Sequence, residues 1–120
     1  MNNMQALQAF WEGFGLPAYD NNTVPDNAEK PYITYEASDG YFGDELAQTA
    51  NVYYRSTSWA DITQKVKEIG EAITRGGKNV PYDGGGFHIK RENPWAIRMR
   101  DPNDDAIRWY VLNYSIEFIQ

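Results

Sequence analysis

The sequence predicts one α+β domain over residues 1–120, a two-layer sandwich with two helices packed on one face of a mostly antiparallel sheet. Apolar residues recur at helical spacing in two segments and alternate with polar residues in several others. Short turn-forming segments connect the late alternating segments. The predicted order is helix, two strands, helix, three strands. With 42% hydrophobic residues, 120 residues suffice for one core and are too few for two.

The segment from Asn51 to Gly77 carries the clearest pattern. β-favouring residues over 51–57 predict a strand. A following apolar stripe at spacings of three and four predicts a helix. We expect Ser58 and Asp61 to form a capping box at its start and Gly76-Gly77 to end it. The stripe consists of Trp59, Ile62, Val66, Ile69 and Ile73.

Earlier in the chain, helical spacing predicts a first helix over residues 2–14. Residues 20–31 are rich in Asn, Asp and Pro and predict an irregular connection. Residues 31–37 predict the first strand, whereas 41–45 fit either a loop or a short strand. The apolar positions of the helix are Met4, Leu7, Phe10 or Trp11, and Phe14.

The last third predicts an antiparallel meander of strands 87–91, 95–100 and 106–118, after a glycine-containing loop over 77–86. Alternation assigns two faces to the middle strand, with Trp95, Ile97 and Met99 on one and Ala96, Arg98 and Arg100 on the other. In the last strand it assigns one apolar face, formed by Tyr110, Leu112, Tyr114, Ile116 and Phe118.

Composition limits the function classes. The net charge of −6 argues against broad nucleic-acid or anionic-membrane binding. No apolar run approaches the roughly 18 residues that span a bilayer, and no secretory signal is visible, so we expect synthesis in the cytoplasm. The absence of cysteine excludes disulfides and thiolate sites.

The charge is unevenly distributed. Residues 1–60 carry eight acidic groups and two basic ones, while residues 61–120 carry nine of each. Two interpretations remain open: strand faces whose charges pair locally, or an acidic surface on one copy that meets a basic surface on the next. Five basic residues crowd the late strands: Lys90, Arg91, Arg98, Arg100 and Arg108.

His88 is the single histidine, which excludes a histidine-pair metal site. Alternation turns it away from Phe87 and Ile89, towards solvent or a partner. Residues 101–105 match the first oxygen positions of an EF-hand loop, but Ala106 and Leu112 replace its required glycine and acid, so we expect a turn. No metal site is therefore expected.

Phosphate and nucleophile motifs are also incomplete. Gly77-Lys78 is followed by Asn79 instead of Ser or Thr, and Gly84-Gly85-Gly86 lacks the dinucleotide-binding spacing. No serine lies in a nucleophile-elbow pattern. We therefore expect neither an enzyme nor a cofactor. An alternative from a different class is a small ligand-binding or hydrolytic domain with a pocket near His88, Asp83 and Tyr82.

Four segments resemble small structural proteins of tailed phages and prophages: Gly15–Tyr19, Val24-Pro25, Pro31–Tyr35 and Tyr53–Trp59. The order of elements over nearly the whole chain resembles the tail-terminator and tail-completion proteins, which are minor structural proteins of long-tailed phages. The resemblance implies an α+β subunit, without catalytic residues, that closes into a homo-oligomeric ring, usually a hexamer.

Such a ring caps the tail tube at the head–tail junction of the virion. The implied partners are other copies of the chain, the major tail tube protein and the head-side connector protein. A head-closure or neck subunit is the alternative within virion proteins. On this hypothesis, Arg98, Arg100, Arg108 and His88 are the candidate interface residues, because a ring requires one patch to meet a different patch on its neighbour.

Overall fold

The computed structural model describes residues 1–119, and within them the chain forms two helices and six strands. Neither helix is long and apolar enough to cross a membrane. In chain order the elements are α1 (Asn3–Glu12), β1 (Ala18–Asp20), β2 (Tyr32–Tyr35), β3 (Glu45–Arg55), α2 (Ala60–Ile73), β4 (Lys78–Tyr82), β5 (Gly85–Arg100) and β6 (Ile107–Ile119).

The six strands form one sheet in the order β1-β2-β3-β6-β5-β4. The β1–β2 pair is parallel and the other four pairs are antiparallel, so the sheet is mixed. The predicted α+β class is confirmed, but the simple two-layer antiparallel sandwich is wrong because the sheet is curled into a half-barrel. Helix α1 contacts both β1 and β4, the two edge strands, and the sheet curls around it.

Trp11 occupies the centre of this curl. Its side chain is fully buried, and its ring stacks on Tyr35 of β2 with a centroid distance of 6.3 Å. It also packs against Tyr114 of β6 at 5.4 Å. Burial of large aromatic rings contributes much of the hydrophobic stabilisation of a small domain. The predicted stripe of the first helix therefore forms core, as helical spacing indicates.

A capping box does form in this chain, but at α1. The side-chain oxygen of Asn2 accepts a hydrogen bond from the backbone nitrogen of Gln5 at 2.8 Å. The side chain of Gln5 accepts one from the backbone nitrogen of Asn2 at 3.0 Å. These reciprocal bonds satisfy N–H groups that the first helical turn leaves unpaired.

Helix α2 has the predicted buried stripe but different ends. Ile62, Val66, Ile69 and Ile73 are buried. The capping box at Ser58 is wrong, because its hydroxyl accepts from the nitrogen of Ala60, two residues on, and Trp59 is the cap residue. The helix ends at Ile73, three residues before Gly76. The chain must turn early because β4 begins at Lys78.

The bounds of one predicted strand change because of strand pairing, and two further strands were not predicted. The predicted strand 51–57 begins already at Glu45 and ends at Arg55, since β3 pairs with β6 along its whole length. The predicted loop 77–86 contains β4, and β1 begins at Ala18, between the predicted first helix and the predicted irregular connection. Both missed strands lie at sheet edges. They have three and five residues, of which only Ala18 is buried, so too few residues face the core for alternation to be visible.

The predicted strands 87–91 and 95–100 form one strand, β5, with an irregularity between Arg91 and Ala96. Four residues lie between these two, whereas one residue separates their β6 partners, Tyr114 and Leu112. This odd excess of three residues inverts the alternation. The predicted face assignment of the middle strand is therefore wrong in part: Trp95 packs against α2, while Ile97 turns to the opposite face.

The apolar face of β6 is confirmed, because Tyr110, Leu112, Tyr114, Ile116 and Phe118 are all buried. We call this side of the sheet, which both helices cover, the inner face, and the opposite side the outer face.

Candidate functional site

Two of the candidate interface arginines surround Trp59, the residue at the start of α2. The guanidinium carbon of Arg98 lies 4.6 Å from the Trp59 ring centroid, and that of Arg108 lies 5.2 Å away. The ring of Tyr110 meets Trp59 edge-on at 5.5 Å. A cation within about 6 Å of an aromatic face is attracted to it. We call Trp59, Arg98, Arg108 and Tyr110 the Trp59 cluster.

Hydrogen bonds hold Arg98 in this cluster. Its Nε donates to the hydroxyl oxygen of Tyr110 at 2.7 Å, and its Nη2 donates to Oγ1 of Thr63 at 3.4 Å. The Thr63 and Tyr110 hydroxyls are themselves 3.1 Å apart. Arg98 therefore joins strand β5, strand β6 and helix α2. Its role inside the chain is to fix the start of the helix on the sheet.

Arg108 is held by backbone carbonyl groups. Its Nη2 donates to the carbonyl oxygen of Thr57, and its Nη1 to that of Asp105, both at 2.7 Å. These bonds tie β6 to the connection before α2. Arg100 lies opposite Arg108 in the β5–β6 register and is exposed. Arg98 is exposed as well, but its guanidinium is bonded to Tyr110.

Acidic groups lie beside these arginines. A depression of about 270 Å³ is lined by Trp59, Arg100 and Arg108 together with Asp101, Asp104 and Asp105. The backbone N–H of Ala106 and then the guanidinium of Arg55 hold the pKa of Asp104 below its usual value. Oδ2 of Asp104 lies 3.2 Å from Nη1 of Arg55. This surface mixes both signs of charge, which suits contact with another polar protein surface.

His88 lies on the outer face. Its Nδ1 is 2.7 Å from Oδ1 of Asn79 on β4, and Glu117 of β6 is its register partner. Phe87 and Ile89 are fully buried, so the side chain turns away from both, as alternation predicts. Asn79 therefore orients the imidazole at the surface.

The three residues of the alternative pocket are not brought together. The Tyr82 ring packs on Phe87 at 4.9 Å, on the inner face opposite to His88. Oδ2 of Asp83 pairs with the amino group of Met1 at 2.9 Å. Within residues 1–119, no group of three or more acidic or histidine side chains could hold a metal ion. Residues 101–105 form the expected turn, in which Asp101 accepts from the nitrogen of Asn103 at 2.8 Å.

The acidic first half and the basic late strands pair partly within the chain. Nζ of Lys90 lies 3.6 Å from Oε1 of Glu45. The Arg55–Asp104 pair has the opposite sense, because it joins a basic residue of the first half to an acidic residue of the second. The two halves meet in the sheet where β3 lies beside β6. These pairs favour the interpretation of local pairing for the residues involved. Exposed pairs of this kind contribute little to stability.

An aromatic row on the outer face was missed at the sequence level. It runs through Tyr19, Tyr32, Tyr53 and Trp109, with successive ring centroids 5.8, 5.2 and 5.4 Å apart. Burial raises the pKa of Tyr32 and Tyr53. The positions opposite the apolar face of each strand could have revealed these rings, but their alignment depends on strand register.

The fold has a counterpart among solved structures. It is similar to a chain from the virion of a native gene transfer agent particle, with a TM-score of 0.65 and 14% sequence identity. The similarity covers 98% of this chain and 91% of that chain. No family model matches the sequence, and no curated protein matches it.

Proposed function

We propose that this protein is a structural subunit of a phage-like virion, in particular a tail-terminator-like subunit. In this role, copies close into a ring, a hexamer in the simplest case, that caps the tail tube and joins it to the head. The observation that carries the proposal is the fold shared, over almost the whole chain, with a component of a gene transfer agent virion. The sequence resemblance to phage tail proteins supports it independently.

The candidate surfaces fit an assembly role better than a catalytic one. The polar groups of Arg98 and Arg108 are used to hold α2 on the sheet, and the residues of the hydrolytic alternative face different sides of β5. Arg100 remains exposed beside the Trp59 cluster. We propose that it contacts a neighbouring copy, the major tail tube protein or the head-side connector protein.

Particle analysis tests the function. We expect mass spectrometry to find the chain in purified particles from the producing phage or prophage. Deletion of its gene should give tails of irregular length beside separate heads, because an uncapped tube continues to polymerise. Tails of normal length beside heads that lose their DNA would indicate a head-closure subunit instead. Absence of the chain from the particles would contradict the proposal.

A single charge reversal tests the arginine surface. Reversal of all three arginines would also remove the Trp59 contacts, so Arg100→Glu is the cleaner variant. We expect it to reduce the yield of joined particles in a deletion strain. The matched control is Lys67→Glu, an exposed position on α2. Equal yields for both variants and the wild type would exclude Arg100 from the contact.

A further inference from the structure

Two consecutive aromatic side chains, Tyr41 and Phe42, project from the connection between β2 and β3. Their exposed fractions are 86% and 68%, whereas every other aromatic side chain of residues 1–119 is buried or half-buried. Large apolar side chains scattered singly on a surface are ordinary, whereas contiguous exposed apolar surface is characteristic of contact sites. We call this pair the aromatic tip.

The base of the tip is fixed to the end of β6. The backbone nitrogen of Gly43 donates to the carbonyl oxygen of Phe118 at 2.8 Å, and the nitrogen of Phe118 donates to that of Asp44 at 3.0 Å. Oδ2 of Asp44 also accepts from the nitrogen of Tyr41 at 2.8 Å. The tip is therefore held in place before binding, which lowers the entropic cost of a contact.

An apolar cleft lies between α1, the last turn of α2 and β4. Its volume is about 440 Å³, within the range of pockets that bind apolar groups. Its wall includes Ala9, Phe10, Phe14, Ala72 and Val80. We call it the α1–β4 cleft.

The charges around the two features are complementary. Asp39, Asp44 and Glu45 flank the tip, and Lys78 lines the cleft, with Arg75 just beyond the end of α2. Within residues 1–119, neither Lys78 nor Arg75 forms an ion pair, and neither do Asp39 and Asp44. Such an arrangement favours one orientation of approach.

We propose that the aromatic tip of one copy occupies the α1–β4 cleft of the next copy. The tip leaves the sheet between β2 and β3, whereas the cleft is bounded by β4 at the opposite edge. A patch that fits a different patch on an identical neighbour makes a head-to-tail contact, which closes into a ring when the rotation allows it. This contact rests on the proposed function, for which it supplies the subunit interface.

Two variants test the contact, each of which removes one half of it. Tyr41→Ser with Phe42→Ser removes the tip, and Ala9→Glu places an acidic group in the cleft. Ala9 is exposed on α1 and Glu is a good helix former, so both variants should stay folded, which circular dichroism checks. For each variant alone, we expect the dissociation constant of self-association to rise roughly thirtyfold or more, as it does when interface hot spots are truncated. Light scattering after size exclusion measures the change.

Mixing the two variants gives the sharpest result. One intact tip and one intact cleft remain, so the mixture should form a one-to-one dimer and no larger ring. The control is Ile97→Ser, a 42%-exposed apolar residue on the outer face, which should assemble as the wild type does. A tip variant that assembles normally, or a wild-type chain that stays monomeric, would overturn the contact.

Disulfide trapping provides a second measurement, because the chain contains no cysteine. In a mixture of Phe42→Cys and Ala9→Cys chains, we expect the mixed disulfide to exceed both homodimers. Homodimers in equal or greater amount would contradict the head-to-tail arrangement. The proposed function is tested separately by the presence of the wild-type chain in purified particles, so either idea can fail while the other stands.

Discussion

The indole of Trp95 lies against Gly70 of α2 so closely that a Cβ atom at Gly70 would be 2.8 Å from its Nε1. This contact joins the irregular part of β5 to the helix. Because the residues between Arg91 and Ala96 turn Trp95 to the inner face, the helix must have a glycine where the ring approaches. The irregular part of β5 and the sequence of α2 are thus matched where Trp95 meets Gly70.

Gly70→Ala should lower the free energy of unfolding by about 1–3 kcal/mol, the usual cost of extra volume at a packed contact. Away from such a contact, Ala in place of Gly in a helix stabilises by roughly 0.5–1 kcal/mol. Urea denaturation measures the change. Gly76→Ala is the control, because a Cβ there meets nothing within 4 Å, and it should alter stability little. A stabilised Gly70→Ala variant would contradict the Trp95 contact.

Arg98→Ala should destabilise the protein by about 1–2 kcal/mol, because it removes a cation–π contact and a hydrogen bond to Tyr110. Arg100 lies two residues further along the same strand. Arg100→Ala should change the free energy of unfolding by less than about 0.5 kcal/mol, as exposed substitutions do. Thermal unfolding of both variants checks the difference. Equal effects would show that the Trp59 cluster does not anchor α2.

The pKa of Asp104 lies below 3.8, the ordinary value for an aspartate side chain. A carboxyl group whose folded-state pKa is lowered contributes stability that is present above its unfolded pKa and is lost as pH falls through the folded pKa. In Arg55→Gln the pKa of Asp104 should rise but stay below 3.8, because the N–H of Ala106 is the larger cause of the shift. Carbon-detected NMR titration measures it, and Arg75→Gln is the control. An unchanged value would exclude the ion pair.

Gly77 has a positive φ of 90°, and a Cβ there would lie 2.6 Å from Nε2 of His88. Gly77→Ala should therefore destabilise more than Gly84→Ala, whose φ is 88° but whose Cβ would meet nothing within 4 Å. The φ strain alone costs of order 1–3 kcal/mol. His88→Ala in the Gly77→Ala background should recover part of the difference in chemical denaturation. No recovery would place the strain entirely in the backbone.

Local patterns predicted the elements whose burial is regular. The stripe of α2 and the apolar face of β6 are buried as predicted, because a period of 3.6 or 2 records which side faces the core. The edge strands β1 and β4 were missed because they are short and only Ala18 in them is buried, so no period is visible. The predicted capping box at Ser58 was wrong because the same sequence pattern also allows the serine hydroxyl to accept from the nitrogen two residues on, as Ser58 does from Ala60.

The candidate residues show the same division between what local patterns predict and what tertiary contacts decide. The sequence placed arginines on the late strands and turned His88 away from the core. It could not show that Arg98 faces α2, because that depends on the odd excess of residues in β5. Nor could it align the row from Tyr19 to Trp109, which needs the register of four strands.

By itself, the sequence determined an α+β chain with two amphipathic helices and an apolar-faced last strand. Only the tertiary structure decided that the sheet curls around Trp11, that Trp59 is held between two arginines, and that α1, α2 and β4 enclose an apolar cleft while the aromatic tip stays exposed. The physical reason is that periodicity is a local property, whereas register, curvature and the pairing of distant surfaces arise from contacts between residues far apart in the chain.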